Sequence, residues 1–229
     1  MKAFLLSAGL GTRLHPITSH TPKCLVQVQG KPLIQWWVEL FHRYGVTDVL
    51  INTHHLGEQV DEYLSKTKTN ISWTIVKEEK LLGSAGTLRV NKSYVKDEED
   101  FLIMYGDVLT DCNLTKLITF HKRNNSPFTM TLSEVENPHG KGLAKVKDNG
   151  TVSEFIEKPL EPISNLANMG IYVCKPFILD LIPEQELTDI ASDLLPKLIN
   201  QMMGYKSSEY FCDIGTFEHL KIAENTFKK

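Results

Sequence analysis

Apolar residues recur along this chain in two rhythms. Short apolar runs bounded by glycine or polar clusters mark buried strands at Ala3 to Ala8, Val49 to Ile51, Ser72 to Val76 and Phe101 to Tyr105. Between them the spacing becomes helical. Leu33, Ile34, Trp37, Leu40 and Phe41 fall on one helical face, opened by Pro32 and closed by Gly45. Further helices are expected over Leu56 to Leu64 and Ala85 to Val90. Strand and helix thus alternate through the first half, the order that builds a parallel sheet with helices on both faces. In the second half Thr129 to Leu132, Leu143 to Val146, Val152 to Ile156 and Gly170 to Cys174 read as strands. Asp148-Asn149-Gly150 is a hairpin turn signal between two of these. Two late helices are expected, over Ile190 to Gln201 and Phe217 to Phe227. No linker or internal repeat divides the chain. The expected architecture is one three-layer α/β domain over residues 1–229, with a mixed, mainly parallel sheet and an antiparallel insertion. Its first part covers about 1–112 and its second about 113–229. Ligands of such sheets lie beyond the carboxyl ends of the strands, and the chemistry-bearing motifs fall there.

Composition leaves this picture standing and removes some partners. The 41% apolar and 23% charged content is that of an ordinary globular chain, and the net charge is −3. Such a balance gives no general attraction to nucleic acid or to an anionic membrane, so phosphate must be held locally. Cys24, Cys112, Cys174 and Cys212 are widely spaced and form no C-x-x-C pair. They read as reduced thiols of a cytoplasmic protein, not as a zinc site or disulfide framework. The N-terminal MKAFLLSAGLG carries one lysine and an apolar run too short to span a membrane, and no cleavage region follows.

The first strand runs into Gly9-Leu10-Gly11-Thr12-Arg13, then Pro16, Thr18 and Pro22-Lys23. Glycines let backbone N–H groups approach phosphate oxygens, and Arg and Lys neutralise their charge. Two familiar loops do not match. A Rossmann fingerprint needs a third glycine where Leu14 stands, and a P-loop needs Gly-Lys-Ser/Thr where this chain has Gly-Thr-Arg. The plain alternative is a tight turn with exposed basic residues, and the offsets of Arg13, Pro16 and Pro22-Lys23 weigh against it.

Asp107 follows an apolar strand and Gly106. Asp213 stands in Phe211-Cys212-Asp213-Ile214-Gly215-Thr216, again between a strand and a helix. Taken singly, each reads as well as a helix N-cap as a metal ligand. Taken together near a triphosphate, two carboxylates from distant segments suit Mg²⁺, which takes few protein ligands and completes its shell with phosphates and water. Asp111 is expected to cap the helix starting at Leu114. His54 and His55 read as loop histidines at a strand end, because no third ligand is spaced to join them.

The stretch GLGTRLHPITSHTPK resembles the signature of the sugar-1-phosphate nucleotidylyltransferases, which include glucose-1-phosphate thymidylyltransferase, mannose-1-phosphate guanylyltransferase and N-acetylmuramate-1-phosphate uridylyltransferase. KCLVQVQGKPLIQW resembles the continuation, and the likeness reaches in pieces to Asp213. The resemblance implies a Rossmann-like nucleotidyltransferase fold with an antiparallel sugar-binding insertion. It also implies a Mg²⁺-dependent reaction between a nucleoside triphosphate and a sugar 1-phosphate. On it, Ala8, Gly9, Gly11 and Thr12 bind the nucleotide, Arg13 holds the triphosphate and the leaving pyrophosphate, and Lys23 acts near the α-phosphate. Asp107 and Asp213 match the two metal-binding positions.

Glu157-Lys158-Pro159 is similar to the family's Glu-Lys-Pro motif, which implies that Glu157 bonds sugar hydroxyls and Lys158 the sugar phosphate. Asn168-Met169-Gly170-Ile171-Tyr172 resembles an Asn-Ala-Gly-Ile-Tyr segment, with Met169 in place of a small residue. Asn168 and Gly170 then face the sugar, with Gly142 lining the same pocket. Gly83-Ser84-Ala85-Gly86 looks like the Gly-Thr-Ala-Gly loop that holds the base in guanylyltransferases of the family, although Ser84 also reads as a plain N-cap. Lys80-Leu81 stand where that subgroup has Glu-Pro. Glu79, with Glu78 beside it, lies just upstream, and a carboxylate accepts from both N1–H and N2–H₂ of guanine. GTP with a mannose-like or heptose 1-phosphate is the expected pair, and UTP, dTTP or CTP the alternatives. No C-terminal β-helix of the kind some relatives carry is expected, and a homodimer is compatible with this reading. Two rivals remain. A glycosyltransferase wants Asp-x-Asp, which Asp107-Val108-Leu109 is not. A non-catalytic nucleotide-sugar binder has no use for the full set Arg13, Lys23, Asp107, Lys158 and Asp213.

Overall fold

In the computed structural model, which describes residues 1–228, the elements in chain order are β1 (Lys2–Leu6), β2 (Gln27–Val28), β3 (Lys31–Pro32), α1 (Leu33–Tyr44), β4 (Asp48–Thr53), α2 (Gly57–Lys66), β5 (Ser72–Lys77) and α3 (Gly83–Val90). There follow β6 (Phe101–Tyr105), β7 (Val108–Thr110), α4 (Leu114–Arg123), β8 (Phe128–Glu134), β9 (Leu143–Val146), β10 (Val152–Ile156), β11 (Leu166–Cys174), β12 (Met203–Lys206), β13 (Phe211–Asp213) and α5 (Phe217–Thr226). The fold class is the expected one, mixed α/β with a mainly parallel central sheet. Contacts divide the chain into two compact units. The first holds Met1–Leu81, Met104–Cys112 and the described residues from Glu209 on; the second holds Leu82–Ile103 and Asn113–Ser208. Cys112 and Asn113 thus fall in different units, and the chain also crosses at three other points.

In the first unit β1 pairs in parallel with β4, from Lys2↔Asp48 to Leu6↔Asn52, and β4 pairs in parallel with β5. The end of β6 lies on the other side of β1. Ala3, Phe4 and Leu5 are fully buried, as a continuous apolar strand covered on both faces must be. The five apolar residues read as one face of α1 are all buried. Each such side chain contributes about 1.5–3 kcal/mol. Pro32 precedes the helix and Gly45 closes it at φ 68°. A second pairing, β7 with β13, sits on a small core of Val28, Leu33, Trp36, Leu109, Ile214, Ala223 and Phe227.

In the second unit β8 and β9 run antiparallel to β11, β9 and β10 form the expected hairpin, and β12 runs parallel to β8. The hairpin turns at Gly150, whose φ is 87° and whose N–H bonds the Lys147 carbonyl at 2.9 Å. The helix expected over Ile190 to Gln201 is instead a wide π-type turn at Ile190–Leu194 followed by a 3-10 turn at Leu195–Leu198. Pro196 has no N–H to continue an α-helical ladder, and its ring crowds the preceding turn. β12 was not expected, since Met203-Gly204-Tyr205-Lys206 has neither an apolar run nor clean alternation. β7 is shorter still, three residues that follow Gly106-Asp107. Among the described residues, no helix is long and apolar enough to cross a membrane. Cys24, Cys112, Cys174 and Cys212 are free thiols. Burial pushes Cys24 and Cys112 up to about 12, so they act as core apolar residues.

Candidate active site

β1 ends at Leu6, and the chain then opens into Ser7 to Gly11. Among the described residues, no hydrogen bond is made by the N–H groups of Ala8, Gly9, Leu10 or Gly11. A run of unpaired backbone donors is unusual in a folded chain and calls for an outside acceptor. Gly9 has open space around it: a methyl group there would meet nothing within 4 Å. Gly11 is different. Its φ is 65°, and its carbonyl takes both the Thr18 hydroxyl and the Leu14 N–H at 2.8 Å. Thr18 thus folds the loop back so that Pro22 and Lys23 return to the end of β1.

There Lys23 donates from Nζ to Asp107 Oδ2 at 2.5 Å and lies 3.7 Å from Asp213 Oδ1. Lys23 is buried, at 9% exposure, while its partners are more open. Arg13 is exposed, and its Nη2 reaches the same place: a methyl group on Gly215 would stand 2.9 Å from both Arg13 Nη2 and Asp213 Oδ1. The four residues expected to carry the chemistry are therefore gathered in one unit from four segments.

Backbone pairing fixes the two acids. Asp213 lies opposite Val108 in the β7–β13 ribbon, and the Ile214 N–H bonds the Asp107 carbonyl at 2.8 Å. Ile214 is buried in the small core beneath. Neither acid caps a helix. Thr216 caps α5, accepting from the His219 N–H, and Asp107 lies in the turn between β6 and β7. Asp111 is not the cap of α4 either. Asn113 takes that role, and Asp111 accepts the Tyr210 N–H at 2.7 Å, pinning the start of β13.

Burial and the Asp107 charge raise the Asp213 carboxyl above its usual value, against the opposite pull of Lys23, His219 and Arg13. An acid whose ionisation is disfavoured by a neighbouring carboxylate marks a place where added positive charge is stabilising. Among the described residues no group of three or more His, Cys, Asp or Glu side chains is placed to hold a metal ion. The donor set is two carboxylates, which fits Mg²⁺ sharing its shell with phosphates and water, and fits zinc poorly.

Also in the first unit, the Ser7 N–H bonds Asn52 Oδ1 at 2.7 Å, and Asn52 Nδ2 donates to Glu78 Oε1 at 2.8 Å. Glu78 is 5% exposed, whereas its expected neighbour Glu79 is exposed and makes no hydrogen bond or ion pair. His54 Nδ1 pairs with the Glu78 carbonyl, and His55 with that of Thr18, so both histidines serve the loops. Asn52 escapes sequence reading because it is one polar residue at the end of an apolar strand.

In the second unit, Gly142, Glu157, Lys158, Asn168 and Gly170 come together. A methyl group on Gly142 would stand 2.5 Å from Glu157 Oε2, and the Gly142 carbonyl accepts the Asn168 N–H at 2.8 Å. The Lys158 N–H bonds the Lys141 carbonyl, and Lys158 Nζ lies 3.5 Å from Glu157 Oε1. Lys158 adopts φ 47°, rare for a side-chain-bearing residue, which marks a constrained turn. β11 bulges between Asn168 and Tyr172, where four residues advance opposite two of β8. Gly170, at φ 71°, makes the bulge and donates its N–H to Asn168 Oδ1. Asn168 Nδ2 donates to the buried Tyr172 hydroxyl at 2.7 Å. Tyr172 is thus a further member of the group.

The loop opening α3 also lies in the second unit, and three of its backbone donors are taken. The N–H groups of Ala85 and Gly86 bond the Thr188 carbonyl, and the Ser84 N–H and hydroxyl bond Asp189 Oδ1. Thr188 and Asp189, just ahead of the helix expected from Ile190, are the residues sequence reasoning missed here.

With this geometry in place, comparison with known proteins is direct. The family model described as nucleotidyl transferase matches residues 2–229. The chain is 34% identical over 222 residues to a Schizosaccharomyces pombe protein named mannose-1-phosphate guanyltransferase, covering 94% of this chain and 61% of that one. It is 33% identical over 220 residues to a Synechocystis protein named UTP–glucose-1-phosphate uridylyltransferase, covering 90% and 57%. The chain therefore spans about three fifths of these relatives. The fold is that of HddC from Yersinia pseudotuberculosis, with a TM-score of 0.83, 23% identity and 99% of both chains covered.

Proposed function

The chain belongs to the nucleotidyl transferase family, and we propose that it joins a nucleoside triphosphate to a sugar 1-phosphate, releasing pyrophosphate. The observation that carries this reading is the cluster of Arg13, Lys23, Asp107 and Asp213 beside four unpaired N–H groups. A phosphate oxygen of the sugar 1-phosphate attacks the α-phosphorus of the triphosphate. The bond from that phosphorus to the bridging oxygen breaks, and pyrophosphate leaves with the electron pair. The nucleophile is already an anion at neutral pH, so no general base is required.

What the protein must do is hold two anions together and stabilise charge at phosphorus. The N–H groups of Ala8 to Gly11 receive triphosphate oxygens, with Thr12 alongside, and Arg13 holds the leaving pyrophosphate. Lys23 exchanges its contact with Asp107 for one to the α-phosphate. Asp107 and Asp213 would hold Mg²⁺, which supplies charge neutralisation at the phosphate oxygens. Glu157 and Asn168 bond sugar hydroxyls beside Gly142 and Gly170, and Lys158 takes the sugar phosphate.

For the base we propose guanine, held at Gly83, Ser84 and Gly86. Of the two upstream acids, Glu79 has a free carboxylate, and Glu78 has one fixed by Asn52. The oriented Glu78 is the better reader of guanine's N1–H and N2–H₂. A mannose-like or heptose 1-phosphate is the proposed co-substrate, in line with the name of the S. pombe relative. The Synechocystis relative's name supports UTP with glucose 1-phosphate as the second reading. Pyrophosphate release with Mg²⁺, measured over a panel of triphosphates and sugar 1-phosphates, tests both. Release with GTP and mannose 1-phosphate above all other pairs is expected. Release from no pair overturns the transferase reading and leaves a nucleotide-sugar binder.

A further inference from the structure

We infer that Asp189 is a positioning residue for the triphosphate's base, acting through the loop that opens α3; this rests on the reading that Gly83–Gly86 receives the base. The segment around Asp189 lies about a hundred residues away in sequence and closes on this loop like a clasp. The Ser84 N–H and Ser84 hydroxyl both donate to Asp189 Oδ1 at 3.0 Å. The Ile190 N–H donates back to Ser84 Oγ at 2.8 Å. The Thr188 carbonyl takes the Ala85 and Gly86 N–H groups at 3.0 and 3.1 Å, and the Thr188 N–H bonds the Leu82 carbonyl at 3.0 Å. Asp189 is itself oriented, since its N–H donates to Asp193 Oδ2 at 2.7 Å.

Two consequences follow from this bonding. The N–H groups of Ser84, Ala85 and Gly86 in the first turn of α3, donors that elsewhere make a helix start an anion site, are filled from within by a carbonyl and a carboxylate. The loop therefore does not compete for phosphate, and what it offers a ligand is the shape of its backbone. That shape is set by the clasp. Gly83 has φ 77°, and a methyl group there would stand 2.2 Å from the Thr188 carbonyl oxygen. The glycine is required by the approach of Thr188, with no ligand present. Asp189 is exposed, so removing its carboxylate empties no core. It frees Ser84 and loosens the start of the helix.

The test uses the full chain with Asp189→Ala and Asp189→Asn, and the triphosphate and sugar 1-phosphate that react fastest in the panel. Asp189→Ala should raise KM for the triphosphate about tenfold, the equivalent of one charge-assisted hydrogen bond. KM for the sugar 1-phosphate and kcat should stay near the parent values. Amide exchange at Ser84 to Gly86 should quicken. Asp189→Asn keeps an Oδ1 acceptor and should recover most of the triphosphate KM. Faster exchange with an unchanged triphosphate KM would overturn the base reading of the loop while leaving the clasp. Unchanged exchange overturns the clasp itself. A fall in kcat with both KM values raised and a lower melting temperature reduces Asp189 to a fold-stabilising residue and overturns the inference. Ser84→Ala, which keeps the N–H bond and loses those of the hydroxyl, should shift the triphosphate KM in the same direction by less. No shift there also counts against it.

Discussion

Gly9-Leu10-Gly11 in the first unit and Gly83-Ser84-Ala85-Gly86 in the second are alike as sequence, since each follows a strand and leads into a helical turn. They differ in where their backbone donors go. From Ala8 to Gly11 the first loop leaves four N–H groups without partners among the described residues, and open space over Gly9. In the second the N–H groups of Ser84, Ala85 and Gly86 are bonded to Thr188 and Asp189, and Gly83 packs against a carbonyl. A glycine thus has two quite different meanings. It either keeps room for a ligand or lets another part of the chain come close. Counting the donors left over distinguishes the two, and on that count the first loop is the one we propose as the anion site.

The largest effect should come from the acids beside the open loop. Asp107→Asn and Asp213→Asn are each expected to lower kcat about a hundredfold or more, by removing a charge that faces developing charge at phosphorus. Neither should unfold the protein. For Asp213 the raised carboxyl says more: its stabilising contribution is present in the protonated form, below the unfolded carboxyl's 3.8, and is lost as pH rises through the raised value. Asp213→Asn removes that cost, so its melting temperature at neutral pH should equal or exceed the parent's. Normal turnover in either variant removes that acid from the reaction.

A pair of alanine substitutions separates the loops. Gly9→Ala meets open space, so its melting temperature should stay put while KM for the triphosphate rises, about tenfold if one N–H contact is lost. Gly83→Ala should do the reverse first. A left-handed φ and a carbonyl 2.2 Å from the new methyl should cost about 2 kcal/mol or more in stability. Loss of stability in Gly9→Ala, or none in Gly83→Ala, would dissolve the distinction. Thermal unfolding read beside initial rates decides it.

Much of this was legible in the sequence for physical reasons. α1 and the buried strands announce themselves because burial imposes a period, and Leu33 to Phe41 carry it. Arg13, Lys23, Asp107 and Asp213 were picked out by charge beside glycine at strand ends and by the family resemblance, and the fold brings them together. What stayed hidden depends on partners distant in the chain. Asp111 and Asn113 are both good caps, and only the arrival of Tyr210 shows which of them is used otherwise. Glu78 and Glu79 are identical as letters, and Asn52 distinguishes them. Thr188 and Asp189 sit in a polar stretch with no period, and the expected helix after them breaks at Pro196 into two turns.

The smallest expected effect extends the comparison to acid. In the second unit His121, at 1% exposure, lies between Thr129 Oγ1 at 2.9 Å and Asp100 Oδ1 at 3.1 Å, with Lys122 3.9 Å from the other Asp100 oxygen. Burial lowers the imidazole's pKa below its usual 6.5 and outweighs the opposite pull of Asp100. A depressed histidine contributes stability that is complete above the unfolded value and is lost as pH falls through the folded one. The melting temperature should therefore decline between about pH 6.5 and 5, where carboxylates are still ionised. His121→Gln should flatten that slope at some cost in stability, because a buried amide meets Asp100 and Thr129 without titrating. The first unit's Asp213 titrates with the opposite sign, so Asp213→Asn should leave the decline in place or steepen it, and never flatten it. An unchanged slope in His121→Gln would place the acid sensitivity elsewhere in the chain.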